Sequence, residues 1–536
     1  MGLWRLDIRK YYPLLLLFLA CSLYFPGLGA RDFWAPVEPR YAEIVRVMYA
    51  KGEWIVPTVN GEIYTDKPIL YFWVALVAAK FVGGVNEWVV RLPAALGGIG
   101  FVLTAYFIGR ELFGARVGAV AAAVLATSYR VIWEARWAHV DMLFAFFFLL
   151  SIYFGARALL RRGLPHEVLL CYIFMALATL AKGLIGVVLP GLLFVAFITV
   201  RRDWRLIGAA QLPFGVPLFL CIAAPWFYLV SKATGGRWLA DFIYIHHLQR
   251  YTAGAGHRQP FYYYFTTLPA DFLPWTAFAI PALAAYRNCR RAWATPPVQF
   301  CLLWFFVVFI FFGGSDTKRD LYLLPLLPTL AFLVANFLID LERHEFAPGV
   351  LYRCFTASFF GIVAISGVLF PGIAWVIRPD AFWPLIPSSL VLAFAGTLAV
   401  VAILRPQPNA ALVSVSAMML LTTITASVWI FPYLEQFKSH RLFSREITET
   451  VPFKAPLYVY ADTMNDFNYY TGRELIPVLA KWEKLVKLRE APETSYLLIG
   501  ERDLKQLPPL PATTLASRAL SSTTWYLLEF KPSLVR

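Results

Sequence analysis

Three carboxylates and a set of basic residues beside apolar runs carry the chemical interest of this chain. Glu38 lies in Ala35-Pro36-Val37-Glu38-Pro39-Arg40-Tyr41-Ala42-Glu43-Ile44, and Asp66 in Tyr64-Thr65-Asp66-Lys67-Pro68. Asp141 follows Arg136-Trp137-Ala138-His139-Val140 at the start of an apolar run. Lys182-Gly183 separates two apolar runs, and Ser315-Asp316-Thr317-Lys318-Arg319-Asp320-Leu321-Tyr322 opens another. A carboxylate placed beside a substrate can take a proton from an attacking group. Lysine and arginine gathered in one place can neutralise a phosphate. Carboxylates and cations around an apolar cavity therefore suggest a lipid-phosphate substrate. A solvated helix edge accounts equally for Glu38, Arg40 and Glu43, and an interface anchor accounts for Asp141.

The elements that must position these residues are membrane helices. The chain has 536 residues, 59% hydrophobic and 17% aromatic, with a mean hydropathy of +0.62. Only 15% are charged, against about a quarter in soluble domains. Repeated apolar runs point to one helical bundle in a bilayer. The net charge of +15 does not indicate nucleic-acid binding, because the basic residues sit in short clusters between apolar runs. Arg5, Arg9 and Lys10 form one; Arg161 and Arg162, Arg201, Arg202 and Arg205, and Arg287, Arg290 and Arg291 form others. Cytoplasmic loops carry that bias. The six cysteines show no metal spacing and no disulfide framework, and read as buried, inert thiols.

Spans are expected at 11–30, 92–110, 117–133, 142–160, 168–182, 183–200, 206–230, 268–286, 297–313, 321–340, 353–377, 383–404 and 410–432, about thirteen in all. The run from Ile69 to Val82 is short for a crossing, about 21 Å as a helix. If it crossed, the basic clusters would divide between both sides; laid on the outer surface, it leaves them all inside. The expectation is thus an all-α polytopic membrane protein, with a transmembrane domain at 1–436 and an external α/β domain at 437–536. Within the first, 31–91 forms external surface helices and 231–267 an external loop. Pro39 suits the first turn of a helix that Gly52 ends, with Tyr41, Ile44, Val45 and Met48 on one face. In the tail, Pro456–Asp462, Tyr496–Gly500 and Trp525–Phe530 read as strands and Leu479–Leu488 as a helix. Arg40, Lys67, Lys182, Lys318 and Arg319 would all lie outside, against the positive-inside bias, which an anionic phosphate explains.

At these residues the chain resembles the GT-C membrane glycosyltransferases that use polyprenyl-phosphate sugars, in particular the bacterial branch of lipid A aminoarabinose transferases and protein-mannosyltransferase relatives. The pieces that carry the resemblance run in order over about residues 30–330: Pro39 to Ile44, Gly52-Glu53-Trp54-Ile55-Val56-Pro57, Asn60-Gly61, Tyr64 to Pro68, Arg91-Leu92-Pro93, Ala135-Arg136 with Asp141, Ala181-Lys182-Gly183, His247-Leu248-Gln249-Arg250, and Lys318-Arg319 to Pro325. The resemblance implies transfer of a sugar from an undecaprenyl-phosphate carrier to a lipid or protein acceptor at the periplasmic face of a bacterial inner membrane. The family places an Asp-Glu pair before its Arg-Tyr-Ala-Glu motif; here Val37 stands at the Asp position and only Glu38 remains. Glu38, Asp66 or Asp141 would act as base or orient the acceptor. Arg40, Tyr41, Lys67, Lys182, Lys318 and Arg319 would bind the donor and its phosphate. The resemblance also implies a divalent metal held by Asp66 with His246 or His247. A transporter or flippase of lipid-linked sugars is the rival reading. It predicts charged or broken helices at the midplane, whereas the charges here cluster at external helix ends.

Overall fold

The computed structural model describes residues 8–161, 165–249, 258–287, 293–345, 349–461, 465–489, 493–521 and 523–532. It divides into two compact units. The first comprises residues 1–28, 65–71 and 91–430, and the second 29–64, 72–90 and 431–536.

The first unit is helical. Long apolar runs build Glu87–Phe113, Val140–Arg161, Leu212–Ala233, Pro296–Gly313, Leu327–Glu342, Ala357–Ile377, Phe382–Leu404 and Pro408–Thr425, four of them with proline inside the helix. Among the described residues, eight helical stretches are long and apolar enough to cross a membrane, or ten if two bent pairs each count as one span. The bent pairs are Ala115–Ala126 with Tyr129–Ala135, at 66°, and Tyr263–Asp271 with Thr276–Tyr286, at 111°. The three other expected spans correspond to Tyr12–Tyr24, Pro165–Lys182 and Ile185–Arg201. The first is only 13 residues long, and Lys182-Gly183 separates the other two. Gly183, at φ +100°, makes that break; an L side chain would be strained there.

The described cysteines are unpaired. Cys171 and Cys301 are buried, but Cys221 and Cys354 are exposed, so burial does not extend to all the thiols. Cys289 lies outside the described residues.

The second unit joins segments far apart in sequence. Helix Glu38–Lys51 carries proline in its first turn and ends at Gly52; Tyr41, Ile44, Val45 and Met48 are buried together along it. A two-residue hairpin follows, β1 (Thr58–Val59) against β2 (Glu62–Ile63). Asn60 and Gly61 both have positive φ, as such tight hairpin turns demand. The tail supplies β3 (Leu457–Tyr460), β4 (Val478–Leu479), β5 (Ser495–Gly500), β6 (Thr513–Leu520) and β7 (Thr523–Phe530), in the order β4-β3-β5-β7-β6. β3 runs parallel to β4 and β5, while β7 is antiparallel to β5 and β6. Leu457, Val459, Leu498, Trp525 and Leu527 pack on one face and Leu497, Ile499, Leu528 and Phe530 on the other.

Polar contacts fix the early segments to this tail. Asn60 Oδ1 accepts from the Ile476 N–H at 2.7 Å and from Asn468 Nδ2 at 3.0 Å. The Phe33 N–H donates to Tyr470 Oη at 2.7 Å, and Tyr469 Oη donates to the Val85 carbonyl at 2.9 Å. Most of 31–91 thus belongs with the tail, where the sequence reading had placed it with the membrane helices and set a boundary at 436.

Candidate functional site

In the first unit, Asp141 occupies the first turn of Val140–Arg161, where a helix dipole favours a carboxylate. Lys182 closes Pro165–Lys182, at the end that favours a cation. Their side chains meet: Lys182 Nζ donates to Asp141 Oδ1. Lys182 also lies 5.2 Å from the Phe144 ring centroid and 4.6 Å from that of Tyr322, close enough for cation–π attraction. The other Asp141 oxygen, Oδ2, is 2.6 Å from His139 Nδ1, and that nitrogen is 3.6 Å from Glu134 Oε2. Glu134 in turn accepts from Arg130 Nη1 at 3.2 Å, and Arg130 Nη2 reaches Asp271 Oδ1 at 2.6 Å and also Asp320. Asp141, Glu134, His139, Arg130 and Asp271 are all buried.

Sequence reasoning assigned no role to Arg130, Glu134, His139, Asp271 or Asp320. Arg130 and Asp271 fall inside runs read as plain spans, and an ionisable group in such a run is itself a functional signal. Arg130 and Glu134 are also spaced i,i+4 on the short helix Tyr129–Ala135, the spacing of facing helical ion pairs.

A second cluster in the same unit joins Asp66, Lys67 and His246. Lys67 Nζ donates to Asp66 Oδ1 at 3.0 Å, and His246 Nδ1 lies 3.2 Å from the same oxygen. His246 Nε2 is 3.1 Å from Thr65 Oγ1. His247 lies in the helical turn Tyr244–Gln249, but its side chain is outside the described residues, as are Arg250 and His257. Among the described residues, no group of three or more potential ligands gathers to hold a metal. The donors here are one carboxylate and one imidazole, short of the four ligands of a structural zinc site or the three of a catalytic one. Lys67 already claims the oxygen they would share. These residues do not fit the metal that the resemblance implied.

Lys318 is 4% exposed, and its ammonium donates to the Ser315 carbonyl at 2.6 Å and the Gln259 carbonyl at 3.3 Å. It ties its own loop to the segment at Gln259. Its neighbour Arg319 is half-buried, in extended backbone before Asp320.

Glu38, Arg40 and Tyr41 belong to the second unit. Glu38 is fully buried, and both its oxygens are engaged. Arg31 Nη2 donates to Oε1 at 2.9 Å, Arg31 Nη1 lies 2.8 Å from Oε2, and the Trp34 N–H donates to Oε2 at 3.1 Å. Glu43 is likewise buried and takes two bonds of 2.7 Å from Arg46. Burial raises its carboxyl above the usual range, against the pull of Arg46. The solvated-edge reading therefore fails for both glutamates. It fails in part for Arg40, which is half-buried and whose Nε has no hydrogen-bond partner among the described residues. Tyr41 packs edge-on against Phe72 at 5.3 Å and Tyr64 at 6.4 Å.

Comparison with solved proteins settles the architecture. The fold matches the crystal structure of ArnT from Cupriavidus metallidurans bound to undecaprenyl phosphate, with a TM-score of 0.76, 98% of each chain covered and 23% identity. The chain has the GT-C fold. It is a membrane glycosyltransferase. Residues 66–229 match the family described as dolichyl-phosphate-mannose-protein mannosyltransferase. The chain is 27% identical over 466 residues to the undecaprenyl phosphate-alpha-4-amino-4-deoxy-L-arabinose arabinosyl transferase of Shewanella sediminis, covering 84% of this chain and 83% of that one. A Pseudomonas aeruginosa protein of the same name is 31% identical over 337 residues, 61% of this chain and 60% of that one. The family match takes in Asp66, Lys67, Asp141 and Lys182 of the glycosyltransferase, and also His139 and Glu134.

Proposed function

We propose that this glycosyltransferase moves a sugar from an undecaprenyl-phosphate carrier to an acceptor at the periplasmic face of the inner membrane. The observation that carries the reading is the buried Asp141–Lys182 pair at two adjoining helix ends. A lysine ammonium there can meet the carrier phosphate, and a carboxylate beside it can meet the acceptor. Transfer is a single displacement with inversion. The acceptor oxygen bonds to the anomeric carbon as the bond from that carbon to the phosphate oxygen breaks, and undecaprenyl phosphate leaves. Negative charge grows on the departing phosphate, and cations set in advance stabilise it. Lys182 and Lys67 are the candidates in the first unit.

A hydroxyl acceptor needs a base; a phosphate acceptor, as on lipid A, is already anionic. Val37 replaces the family's aspartate, and Glu38 is held by Arg31 and Trp34. Both facts favour an anionic oxygen as acceptor, with Asp141 orienting the sugar or the acceptor through a hydroxyl or ammonium hydrogen and not through that oxygen. Two relatives are named as aminoarabinose transferases, which makes aminoarabinose the first donor to try. The test uses purified protein in nanodiscs with labelled undecaprenyl-phosphate sugar, offered a phosphate-bearing lipid or a hydroxyl-bearing one. Transfer to the phosphate lipid is expected. Donor translocation across vesicles without any transfer would support the flippase reading instead.

A further inference from the structure

Lys182 cannot serve a phosphate and keep its present bond to Asp141 undisturbed. Its ammonium donates to Oδ1 of a carboxylate that is 1% exposed. A buried carboxylate that loses its cation is left uncompensated. The geometry already contains a second partner for it. His139 Nδ1 sits 2.6 Å from the opposite oxygen, Oδ2, within reach of a ring N–H turned toward it. Glu134 Oε2 stands 3.6 Å from the same nitrogen, and Arg130 Nη1 holds the other oxygen of Glu134 at 3.2 Å. Both carboxylates thus face the same imidazole nitrogen, with Asp141 the closer of the two. Lys182 is held differently. Besides Asp141, the ring faces of Phe144 and Tyr322 lie against its ammonium, and rings fix a cation's direction loosely.

We propose that His139 is a positioning residue of the transfer reaction: it retains Asp141 while Lys182 turns from Asp141 to the carrier phosphate. The inference rests on the reading of Lys182 given under Proposed function and adds to it how the lysine is released. No covalent bond changes in this step; one ammonium hydrogen bond moves from a carboxylate to a phosphate oxygen.

The test is a double-mutant cycle read by titrating undecaprenyl phosphate into the purified full-length chain, with donor KM and kcat measured alongside. His139→Gln is expected to weaken carrier binding about tenfold, an ordinary coupling for residues in one network. In a Lys182→Met background, the same substitution should change binding no further. Where Lys182→Met lowers the yield of folded protein, Asp141→Asn provides the second background. With the charge of Asp141 gone, His139→Gln should again have no effect on carrier binding there. Equal loss in wild-type and mutant backgrounds would mean that His139 supports the fold only, and would overturn the inference. A wild-type chain that transfers sugar but whose carrier binding is indifferent to Lys182→Met would overturn it too. If the wild type binds no carrier at all, the reading under Proposed function falls and this one with it.

Discussion

Glu38 and Asp141 are both buried carboxylates near a helix start, each paired with a cation, yet they are built for different ends. Glu38 meets the planar fork of Arg31 with both oxygens and takes a backbone N–H as well. An arginine fork loses little on pairing and fits a carboxylate edge to edge, so such a pair is closed. Asp141 meets a lysine, a compact charge on a flexible stem, and an imidazole. Lysine bonds re-aim easily. The difference teaches where to look for chemistry. A carboxylate whose bonds are all spent on a rigid partner holds structure, while one shared between two movable partners can exchange them during a reaction.

The largest effect that would sharpen this contrast is on turnover. Asp141→Asn should lower kcat by about a hundred- to ten-thousand-fold, the range of acid–base or orienting groups, while leaving carrier binding intact or tighter, because Lys182 is then freed. Steady-state kinetics with separate titration of undecaprenyl phosphate checks both halves. Near-normal kcat would place Asp141 with Glu38 as a structural group and erase the comparison.

Glu38→Gln should act on stability first. Removing one charge from a buried pair costs about 3–5 kcal/mol, so the melting temperature should fall clearly. The fraction that folds should keep turnover within about tenfold of wild type, below the range expected for a lost general base. A normal melting temperature with turnover lost by two decades or more would reverse the assignment and restore the base role that adjacency to Val37 had suggested.

The sequence made the helices legible because apolar runs and basic clusters are local signals. Ten of the expected spans find a long helix or a bent pair. Glu38–Lys51 was readable from Pro39 and Gly52, and β3, β5 and β7 from their apolar runs. β6, Thr513–Leu520, was not; it is an edge strand with much of its length exposed, so it lacks the strong alternation that marks a half-buried strand. The pairing of Asn60 with Ile476 and Asn468, or of Phe33 with Tyr470, was illegible because no pattern within a window reports a partner about four hundred residues away. At the site, Asp66, Lys67, Asp141 and Lys182 stood out as charges beside apolar runs. His139 was in view without a role, since a lone histidine says nothing of what its ring nitrogen will face.

The second unit offers a smaller effect of the same closed kind. His440 is buried, with Asp466 Oδ2 3.8 Å from its Nε2, and burial pushes its imidazole down to about 4. The ordinary histidine value is about 6.5. Below about pH 6.5 the unfolded chain therefore takes up a proton that the folded one refuses, so stability declines as the pH falls toward 4. At most about 3.4 kcal/mol is lost across that window. The melting temperature of the full chain should drop from pH 7.5 to pH 5 by more than that of His440→Leu. Equal drops would show that other groups govern the acid side.

The smallest expected effect concerns the Asp66 cluster, which tests whether chelation belongs in the comparison at all. Asp66 Oδ1 already receives Lys67 Nζ at 3.0 Å and faces His246 Nδ1 at 3.2 Å. A ring nitrogen facing a carboxylate is best used as a donor, which leaves Nε2 as the acceptor, and Thr65 Oγ1 lies 3.1 Å from it. Nε2 thus has a partner, and the lone pair a metal would need there is occupied by a hydroxyl. A divalent cation would also have to displace or sit beside the Lys67 ammonium on the same carboxylate, against like-charge repulsion. Incubation with a strong chelator should therefore leave sugar transfer within about twofold of the untreated rate, because two weak ligands do not retain zinc. Lys67→Ala, by contrast, should raise the donor KM, since it removes a phosphate cation and not a metal's competitor. Loss of transfer on chelation that zinc restores would overturn this. It would mean that Lys67 moves aside for a metal, and that this cluster, like Asp141, is one whose partners exchange.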